Sequence, residues 1–250
     1  MIRITFLGTN GWYDTEAGST PSVLVQTPEA NLILDAGLGL HKATDYLDPD
    51  LPTWLLLTHF HFDHIFGLHT LLKFRLRQGL HLVSHPGSKS LFQQVLNDPF
   101  SVRWQDLPYT VEFLELIPGL HVFDFGMVET RPLRHSITCQ GYRLEVEDRV
   151  VAYCSDTGWC PEAVTLGRGA DVLITECASP PGHEDGGWGH LNPTEAARIA
   201  HEAQAQALFL MHFNPYFYPT LAERETARTL AQEVFPATHL ATDGLQVELA

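Results

Sequence analysis

Short apolar runs alternate with amphipathic segments along the chain, and this order occurs twice. In the first half the pattern predicts strands near residues 2–7, 22–26, 31–35, 53–57 and 80–84, and helices near 38–47, 64–76 and 87–97. After residues 118–119, it predicts strands near 121–125, 127–133, 140–146, 149–154 and 171–175, and helices near 193–204 and 220–232. Strands that alternate with helices indicate an α/β protein with two sheets face to face and helices outside.

One helix start is marked by several signals at once. Asn192 can serve as the N-cap, Pro193 occupies the first turn, and Glu195 stands where a capping box requires it. An alanine-rich segment follows. The sequence therefore predicts that a helix begins directly after residue 192.

Composition is that of a compact protein. The 250 residues are 44% hydrophobic, and no Pro/Ser-rich linker or charge block divides them, so we expect a single domain over residues 1–250. Because a strand is predicted from residue 2, there is no room for a signal peptide, and no apolar run is long enough to span a membrane. We expect a cytoplasmic protein without a membrane partner. A homodimer is left open.

Cysteine spacing bears on the redox state. The four cysteines, at positions 139, 154, 160 and 177, have no C-x-x-C spacing, and we expect reduced, buried thiols. A disulfide between Cys154 and Cys160 is the alternative.

Residues 58–64 read Thr-His-Phe-His-Phe-Asp-His, which packs four metal-ligand side chains into six positions. A predicted strand ends just before them, so His59 and His61 lie on extended chain and face the same side. They can therefore meet one metal ion. Asp63 and His64 lie where the chain turns into the next helix and are aimed at a second ion. A single histidine would be read as an ordinary core or surface residue, but a cluster of this density favours a metal site.

This motif resembles the signature of the metallo-β-lactamase superfamily, and the resemblance runs from about residue 4 to about residue 244. It implies a four-layer αββα sandwich with a metal site along one edge. It also implies a third histidine, a bridging aspartate and a last histidine, each after a later strand, and the matching residues are His135, Asp156 and His212. Asp35 matches an early strand-end aspartate that supports the metal loop.

The resemblance also implies a division of the ligands between two divalent ions. The first ion would be held by His59, His61 and His135, the second by Asp63, His64 and His212, and Asp156 would bridge them. Imidazole ligands suit zinc, while the carboxylates also admit manganese or iron. Two such ions about 3.5–4 Å apart lower the pKa of a shared water and make a hydroxide nucleophile. The di-iron redox branch carries glutamate at position 61, so the histidine found there favours hydrolysis.

Two further segments resemble motifs of the phosphodiesterase branch, which includes ribonuclease Z and the phosphonate-pathway cyclic phosphodiesterase. They are residues 173–178, Leu-Ile-Thr-Glu-Cys-Ala, and residues 189–194, Gly-His-Leu-Asn-Pro-Thr. The resemblance implies that His190, steadied by Glu176, contacts the scissile phosphate, where an imidazolium can neutralise charge and protonate the leaving oxygen. The predicted catalytic residues are thus Asp63, His190 and Glu176. Alternatively, His190 only caps a helix and Glu176 forms a structural ion pair.

The expected substrate is small. Ribonuclease Z carries a long RNA-binding arm between the third histidine and the bridging aspartate, but here residues 135 and 156 are separated only by two strands and a turn. The net charge of −15, from 15 basic and 30 acidic residues, also opposes binding of a large nucleic acid. A small or cyclic phosphodiester is favoured, with Arg131, Arg134 and Arg143 as candidates to bind one phosphate.

Other functions and several loops remain open. The alternatives are an acyl hydrolase of the lactonase or thioesterase type, an arm-less tRNA 3′-processing endonuclease, and a metal-stabilised scaffold, which the full ligand set disfavours. Residues 8–13 resemble a glycine-rich loop beside the metals. Residues 179–188 would suit a lid or a plain surface loop. The aromatic residues Phe213, Tyr216, Phe217 and Tyr218 could stack on a base or pack in the core, and His85 is a weak candidate for the site.

Overall fold

Two seven-stranded sheets form the centre of the protein, and the computed structural model describes residues 1–183 and 186–250. The first sheet, ordered β14-β1-β2-β3-β4-β5-β6, contains β1 (Ile2–Gly8), β2 (Ser22–Gln26), β3 (Asn31–Leu34), β4 (Thr53–Leu56), β5 (Leu80–Ser84), β6 (Val111–Glu115) and β14 (Gln246–Leu249). The second, ordered β13-β12-β11-β10-β9-β8-β7, contains β7 (Gly119–Phe123), β8 (Gly126–Pro132), β9 (Gln140–Val146), β10 (Arg149–Cys154), β11 (Val172–Glu176), β12 (Leu208–Met211) and β13 (Thr238–Leu240).

The helices are mostly short. The α-helices are α1 (Phe62–Ile65), α2 (Ser88–Val95), α3 (Pro161–Gly167), α4 (Pro193–Ala203) and α5 (Leu221–Gln232), and 3₁₀ segments span Leu38–Asp45, Phe66–Lys73 and Trp104–Asp106. The start of α4 is as predicted, because the Asn192 side chain accepts hydrogen bonds from the backbone N–H groups of Thr194 and Glu195. No described helix has the length and apolar character needed to span a bilayer.

Three buried apolar clusters define four layers. One lies between the sheets, and the other two lie between each sheet and its outer helices. Successive strand residues alternate between clusters: Leu32 and Leu34 face the central cluster, while Ile33 faces the outer one. Strands buried on both faces read as continuous apolar runs, which explains their visibility in the sequence. The predicted αββα fold class is confirmed.

Some elements were predicted with the wrong type, and others were not predicted at all. Residues 38–47 and 64–76 are largely 3₁₀ rather than α-helical. One cause is Gly67, whose N–H donates to the carbonyl of Ala36 at 2.7 Å and so leaves the helical ladder, while a Cβ there would lie 2.1 Å from the carbonyl oxygen of Gly37. Elements β6, β13, β14 and α3 were not predicted, and β12 was implied only as the strand before His212. All four cysteines are free and buried, so the Cys154–Cys160 disulfide is not formed.

Strand direction brings the predicted ligands to one edge of the sandwich. In the first sheet β3 and β4 are parallel, and β1 runs the same way because two antiparallel pairings separate it from β3. In the second sheet β10, β11 and β12 are parallel, and β8 shares their direction for the same reason. Segments that follow the carboxyl ends of these strands therefore meet at one edge, where ligand sites of α/β proteins form.

Candidate metal centre and active site

Three histidines from two sheets converge on the first predicted metal position. His59 and His61 follow β4, and His135 follows β8. The Nε2 atom of His59 lies 3.0 Å from Nδ1 of His61, which lies 3.1 Å from Nε2 of His135. Ligand atoms of these residues and of Asp156 all lie within 4.8 Å of one another. Converging imidazole nitrogens with a carboxylate fit a transition-metal ion.

The second predicted set forms beside the first. The Nε2 atoms of His64 and His212 are 3.1 Å apart, and Nε2 of His212 lies 3.3 Å from Oδ2 of Asp63. Oδ1 of Asp156 is 3.1 Å from both of these Nε2 atoms, while its Oδ2 faces the first set at 3.7 Å from His135. Asp156 thus presents one oxygen to each set. This is the position that a bridging carboxylate needs.

The two ligand sets differ in electrostatics. Burial lowers the pKa of His59, His61 and His135, so these rings are neutral and available as ligands near neutral pH. Burial also opposes charge on His64 and His212, but there the carboxylates of Asp156 and Asp63 outweigh it and raise the pKa of both rings. In the metal-free protein the second set therefore holds protons that a metal ion would displace.

Asp35 orients the second set from beneath. Its carboxylate is buried and accepts hydrogen bonds from Nδ1 of His64 at 2.9 Å, from the Tyr153 hydroxyl at 2.9 Å, and from the Thr58 N–H at 2.8 Å. Since Nδ1 of His64 donates, its Nε2 presents a lone pair to the ligand cluster. This supports the role predicted for the strand-end aspartate.

The glycine-rich loop after β1 lies against the ligands. A Cβ on Gly11 would come within 2.5 Å of the His212 ring, so only glycine fits there. The N–H of Gly11 donates to the carbonyl of Phe213 at 2.9 Å, and the N–H of Trp12 donates to Oδ2 of Asp63 at 2.8 Å. The loop therefore fixes one oxygen of a predicted ligand.

His190 and Glu176 form a hydrogen-bonded pair at the edge of the ligand cluster. Nδ1 of His190 lies 2.9 Å from Oε1 of Glu176, which also accepts the N–H of Thr157 at 2.8 Å, and Oε2 accepts the N–H of Ala178 at 3.1 Å. Burial raises the pKa of Glu176, and His190 opposes that shift. A ligand atom of His190 also lies within 4.8 Å of those of Asp156 and His212, a grouping that would fit metal binding as well as substrate contact.

A cavity of about 550 Å³ opens over these residues. Its polar floor includes His61, Asp63, Asp156, His190 and His212. A second cavity of about 370 Å³ adjoins it at His190 and is lined by Arg134, Asn192 and Glu195 among others. His190 thus faces both spaces, as Ser179 and His183 do, and it is also hydrogen-bonded to Glu176 beside the ligand cluster. A substrate that enters from either side would therefore meet His190.

Of the three arginines predicted to serve a phosphate, the structure brings only Arg134 to a cavity. Arg131 pairs with Glu129 at 2.6 Å, and Arg143 pairs with Glu145 at 2.7 Å. Neither lines the two cavities described above. Both are held by neighbours on their own strands, and the structure does not bring either of them to the candidate site.

The other weakly predicted residues divide between site and core. Phe217 lines the large cavity, while Phe213 and Tyr218 pack together in the core with ring centroids 5.3 Å apart. Tyr216 is exposed. His85 contacts the Phe60 ring and lines neither cavity.

The predicted lid lies partly outside the described residues, which omit positions 184 and 185. The described parts line both cavities through Ser179 and His183. Prediction from sequence missed three cavity aromatics, Trp12, Phe62 and Trp188. The signal available for them was their position, because each lies within two residues of a predicted site residue or within the glycine-rich loop.

Comparison with known proteins agrees with this geometry. A model described as the β-lactamase superfamily domain matches residues 30–213. The chain belongs to the β-lactamase superfamily. The sequence resemblance is therefore confirmed, and this member of the superfamily is a metallo-hydrolase with clustered candidate metal ligands.

Individual relatives of this superfamily member cover nearly its full length. A ribonuclease Z of Acaryochloris marina is 28% identical over 311 aligned positions, which include 99% of this chain and 98% of the relative. The crystal structure of the metallo-β-lactamase fold protein YhfI from Bacillus subtilis has a TM-score of 0.82, 23% identity and coverage of 99% and 100%. A structure titled as a new diphosphatase from the PhnP family has a TM-score of 0.74, 19% identity and coverage of 100% and 98%.

Proposed function

We propose that this protein is a dinuclear metal-dependent phosphodiesterase that cleaves a small or cyclic phosphodiester. The observation that carries the proposal is the Glu176–His190 pair, which stands at the rim of two adjoining ligand sets that share Asp156. In the phosphodiesterase branch that the sequence resembles, a histidine steadied by a glutamate contacts the scissile phosphate, and His190 beside Glu176 matches that residue. A proton donor there would neutralise charge on the phosphate and protonate the leaving oxygen.

The ligands would be used as the sequence predicts. His59, His61 and His135 would hold one divalent ion, zinc or manganese, and Asp63, His64 and His212 would hold the other, with Asp156 between them. When bound, such a pair supplies Lewis acidity and a water of lowered pKa. The protein's own contribution is to fix these ligands, through Asp35 and through the N–H of Trp12, before the substrate arrives.

His190 would bind a nonbridging oxygen of the phosphate and give a proton to the leaving oxygen. The Glu176 carboxylate accepts Nδ1–H of His190, which orients the ring and leaves Nε2 to face the substrate. A carboxylate beside an imidazole also stabilises the imidazolium form. Because Glu176 is itself held by two backbone N–H groups, the ring has one preferred orientation over the cavity.

Charge and chain length both favour a small substrate. The alignment with the cyanobacterial ribonuclease Z runs over 311 positions, more than the 250 residues of this chain, so that relative carries segments this chain lacks. The net charge of −15 opposes polyanions. Arg134 alone of the predicted arginines lines a cavity, which suits a substrate with little negative charge beyond the scissile phosphate.

A substrate panel tests the proposal. Protein reconstituted with zinc or with manganese, and of measured metal content, is assayed with bis(p-nitrophenyl) phosphate, cyclic nucleotides, a lactone, a thioester and a β-lactam. We expect turnover of the phosphodiesters to exceed that of the acyl substrates by at least about 100-fold, the scale of a general acid's contribution. Preferred turnover of the lactone or thioester would replace the proposal with the acyl-hydrolase alternative.

A second candidate function is tRNA 3′ processing, which the ribonuclease Z relative favours by name. The same panel includes a precursor tRNA with a short 3′ trailer. Efficient cleavage at the 3′ end by the isolated protein would establish this function over the small-substrate proposal.

A further inference from the structure

Three large aromatic side chains at the cavity are unusually exposed. Trp12, Phe62 and Trp188 are 63%, 70% and 54% exposed, and all three line the 550 Å³ cavity over the metal ligands. They come from three separate segments: the loop after β1, the start of α1 and the loop before His190. Exposed aromatics grouped at a cavity commonly mark a binding site, whereas single exposed ones carry no such meaning.

Trp12 holds its position against a conformational cost. Its backbone φ of 65° lies in the left-handed region, where glycine or asparagine is favoured and a bulky residue is rare. Strain of this kind is unfavourable and concentrates at ligand sites. Packing offsets little of it here, because most of the indole is exposed and its ring packs edge-on against Tyr13, which is itself 42% exposed. Folding alone therefore gives no reason for tryptophan at this position.

Phe62 and Trp188 are each next to the metal ligands. Phe62 lies between His61 and Asp63 in the chain and stacks on Phe66 with centroids 5.1 Å apart and planes 2° apart. The Trp188 ring lies 5.7 Å from the His61 ring. Both rings therefore lie beside His61, a predicted ligand of the first metal ion, and line the cavity above it.

The side chains that line the large cavity include aromatic rings but no lysine or arginine among the described residues. A substituent that enters this space is met by aromatic faces instead of cations. A flat π system binds to such faces by stacking, and stacking does not require matched hydrogen-bond donors and acceptors.

We propose that Trp12, Phe62 and Trp188 bind a flat aromatic ester substituent of the substrate, either a nucleobase or an aryl group. The inference rests on the proposed function for the identity of the reacting group, a phosphodiester. The aromatic ester group of the substrate would then determine specificity, and an alkyl phosphodiester of the same size would bind less tightly.

A set of phosphonates separates stacking from size and from catalysis. Binding of methyl-, cyclohexyl- and phenylphosphonate to the zinc-reconstituted protein is measured by calorimetry, with thymidine 5′-phosphate as a nucleobase arm. Cyclohexyl and phenyl groups match in size, and the saturated ring is not less apolar, so hydrophobic burial alone predicts no preference for phenyl. We expect phenylphosphonate to bind roughly 10-fold more tightly than cyclohexylphosphonate. Tighter binding of the nucleotide than of phenylphosphonate would assign a nucleobase, and the reverse would assign an aryl group.

Two variants and one control complete the test. In Phe62→Leu and in Trp188→Leu, the phenyl-to-cyclohexyl affinity ratio should fall toward one, and methylphosphonate binding reports that the anion site is intact. Phe100→Leu removes an aromatic side chain that is 68% exposed and lines neither cavity, and it should leave the ratio unchanged. Equal binding of phenyl and cyclohexyl groups by the unaltered protein, or a ratio unchanged in both variants, would overturn the inference. Because binding is read without turnover, failure of phosphodiester hydrolysis in the substrate panel is a separate result.

Discussion

Oδ2 of Asp35 lies 2.9 Å from Nδ1 of His64, and both side chains are fully buried. Every polar partner of the Asp35 carboxylate donates to it, including the N–H and hydroxyl of Thr58 and the hydroxyl of Tyr153. The pair therefore fixes the tautomer and the direction of a predicted metal ligand from below the site.

Asp35→Asn should loosen the second metal position. Both oxygens of the Asp35 carboxylate accept from donors, so in asparagine the side-chain NH₂ group faces a donor in either orientation. One buried hydrogen bond is then lost, and His64 is held less firmly. We expect metal affinity at the second set to fall by about 10- to 100-fold. Zinc titration of the variant measures this. Asp50→Asn, which removes an exposed partner of Arg77, is the matched control and should bind zinc normally.

Purified protein reconstituted with zinc or manganese should hold about two ions per chain, because the candidate ligands form two sets and Asp156 lies beside both. Asp156→Ala should lower the content to one ion or none and remove most of the activity. Elemental analysis gives the count. A maximum of one ion in the unaltered protein under all reconstitution conditions would contradict a dinuclear centre.

The two ions should differ in the pH dependence of binding. The pKa values of His59, His61 and His135 are lowered by burial, so above about pH 6.5 these ligands carry no proton to lose. Burial is outweighed by carboxylates at His64 and His212, and their raised pKa values mean that an ion must displace protons there. The zinc affinity of the second set should therefore rise with pH above about 6.5, while the zinc affinity of the first set stays constant.

Calorimetric zinc titrations in two buffers of different ionisation enthalpy check this. Proton release should accompany zinc binding at the second set only. Two steps with the same proton release at every pH would contradict the assignment of protons to the second set.

His190→Ala should separate the catalytic role of this residue from a metal-binding one. If His190 serves the phosphate, kcat should fall by roughly 10²- to 10⁴-fold with two ions still bound. Glu176→Gln should cause a smaller loss of the same kind. His201→Ala, which removes an exposed histidine from the last turn of α4, is the control. Loss of one ion in His190→Ala would instead make His190 a ligand, as its distance from Asp156 and His212 also permits.

Cleavage of precursor tRNA should be slow and should lack steep inhibition by salt. With 15 basic and 30 acidic residues, the protein repels a polyanion at long range, and added salt screens that repulsion. Proteins that bind nucleic acid through many phosphate contacts show the opposite trend. Initial rates over a series of salt concentrations, for precursor tRNA and for a small phosphodiester, measure the difference. Rapid tRNA cleavage that salt strongly inhibits would show that the substrate class is wrong.

Local sequence patterns were enough to predict the layer architecture and the candidate ligands at residues 59–64. Strands buried on both faces must be apolar throughout, so their positions were readable, and the cap at Asn192 marked α4 because it depends only on local bonding. The ligands at residues 59–64 were readable because an extended segment followed by a helix start fixes their relative directions within six positions. His135, Asp156 and His212 followed from a family resemblance that the superfamily match now supports.

Tertiary structure alone decided which side chains share the site. The 3₁₀ form of the segment after α1 depends on the contact of Gly67 with Ala36, which no local pattern encodes. Arg131 and Arg143 carry the right charge near the third ligand, yet acidic neighbours on their own strands hold them away from the cavities. The exposed rings of Trp12, Phe62 and Trp188 line one cavity because strands from two sheets end at one edge. Such encounters depend on long-range strand order, whereas the sequence pattern reports only on local periodicity and burial.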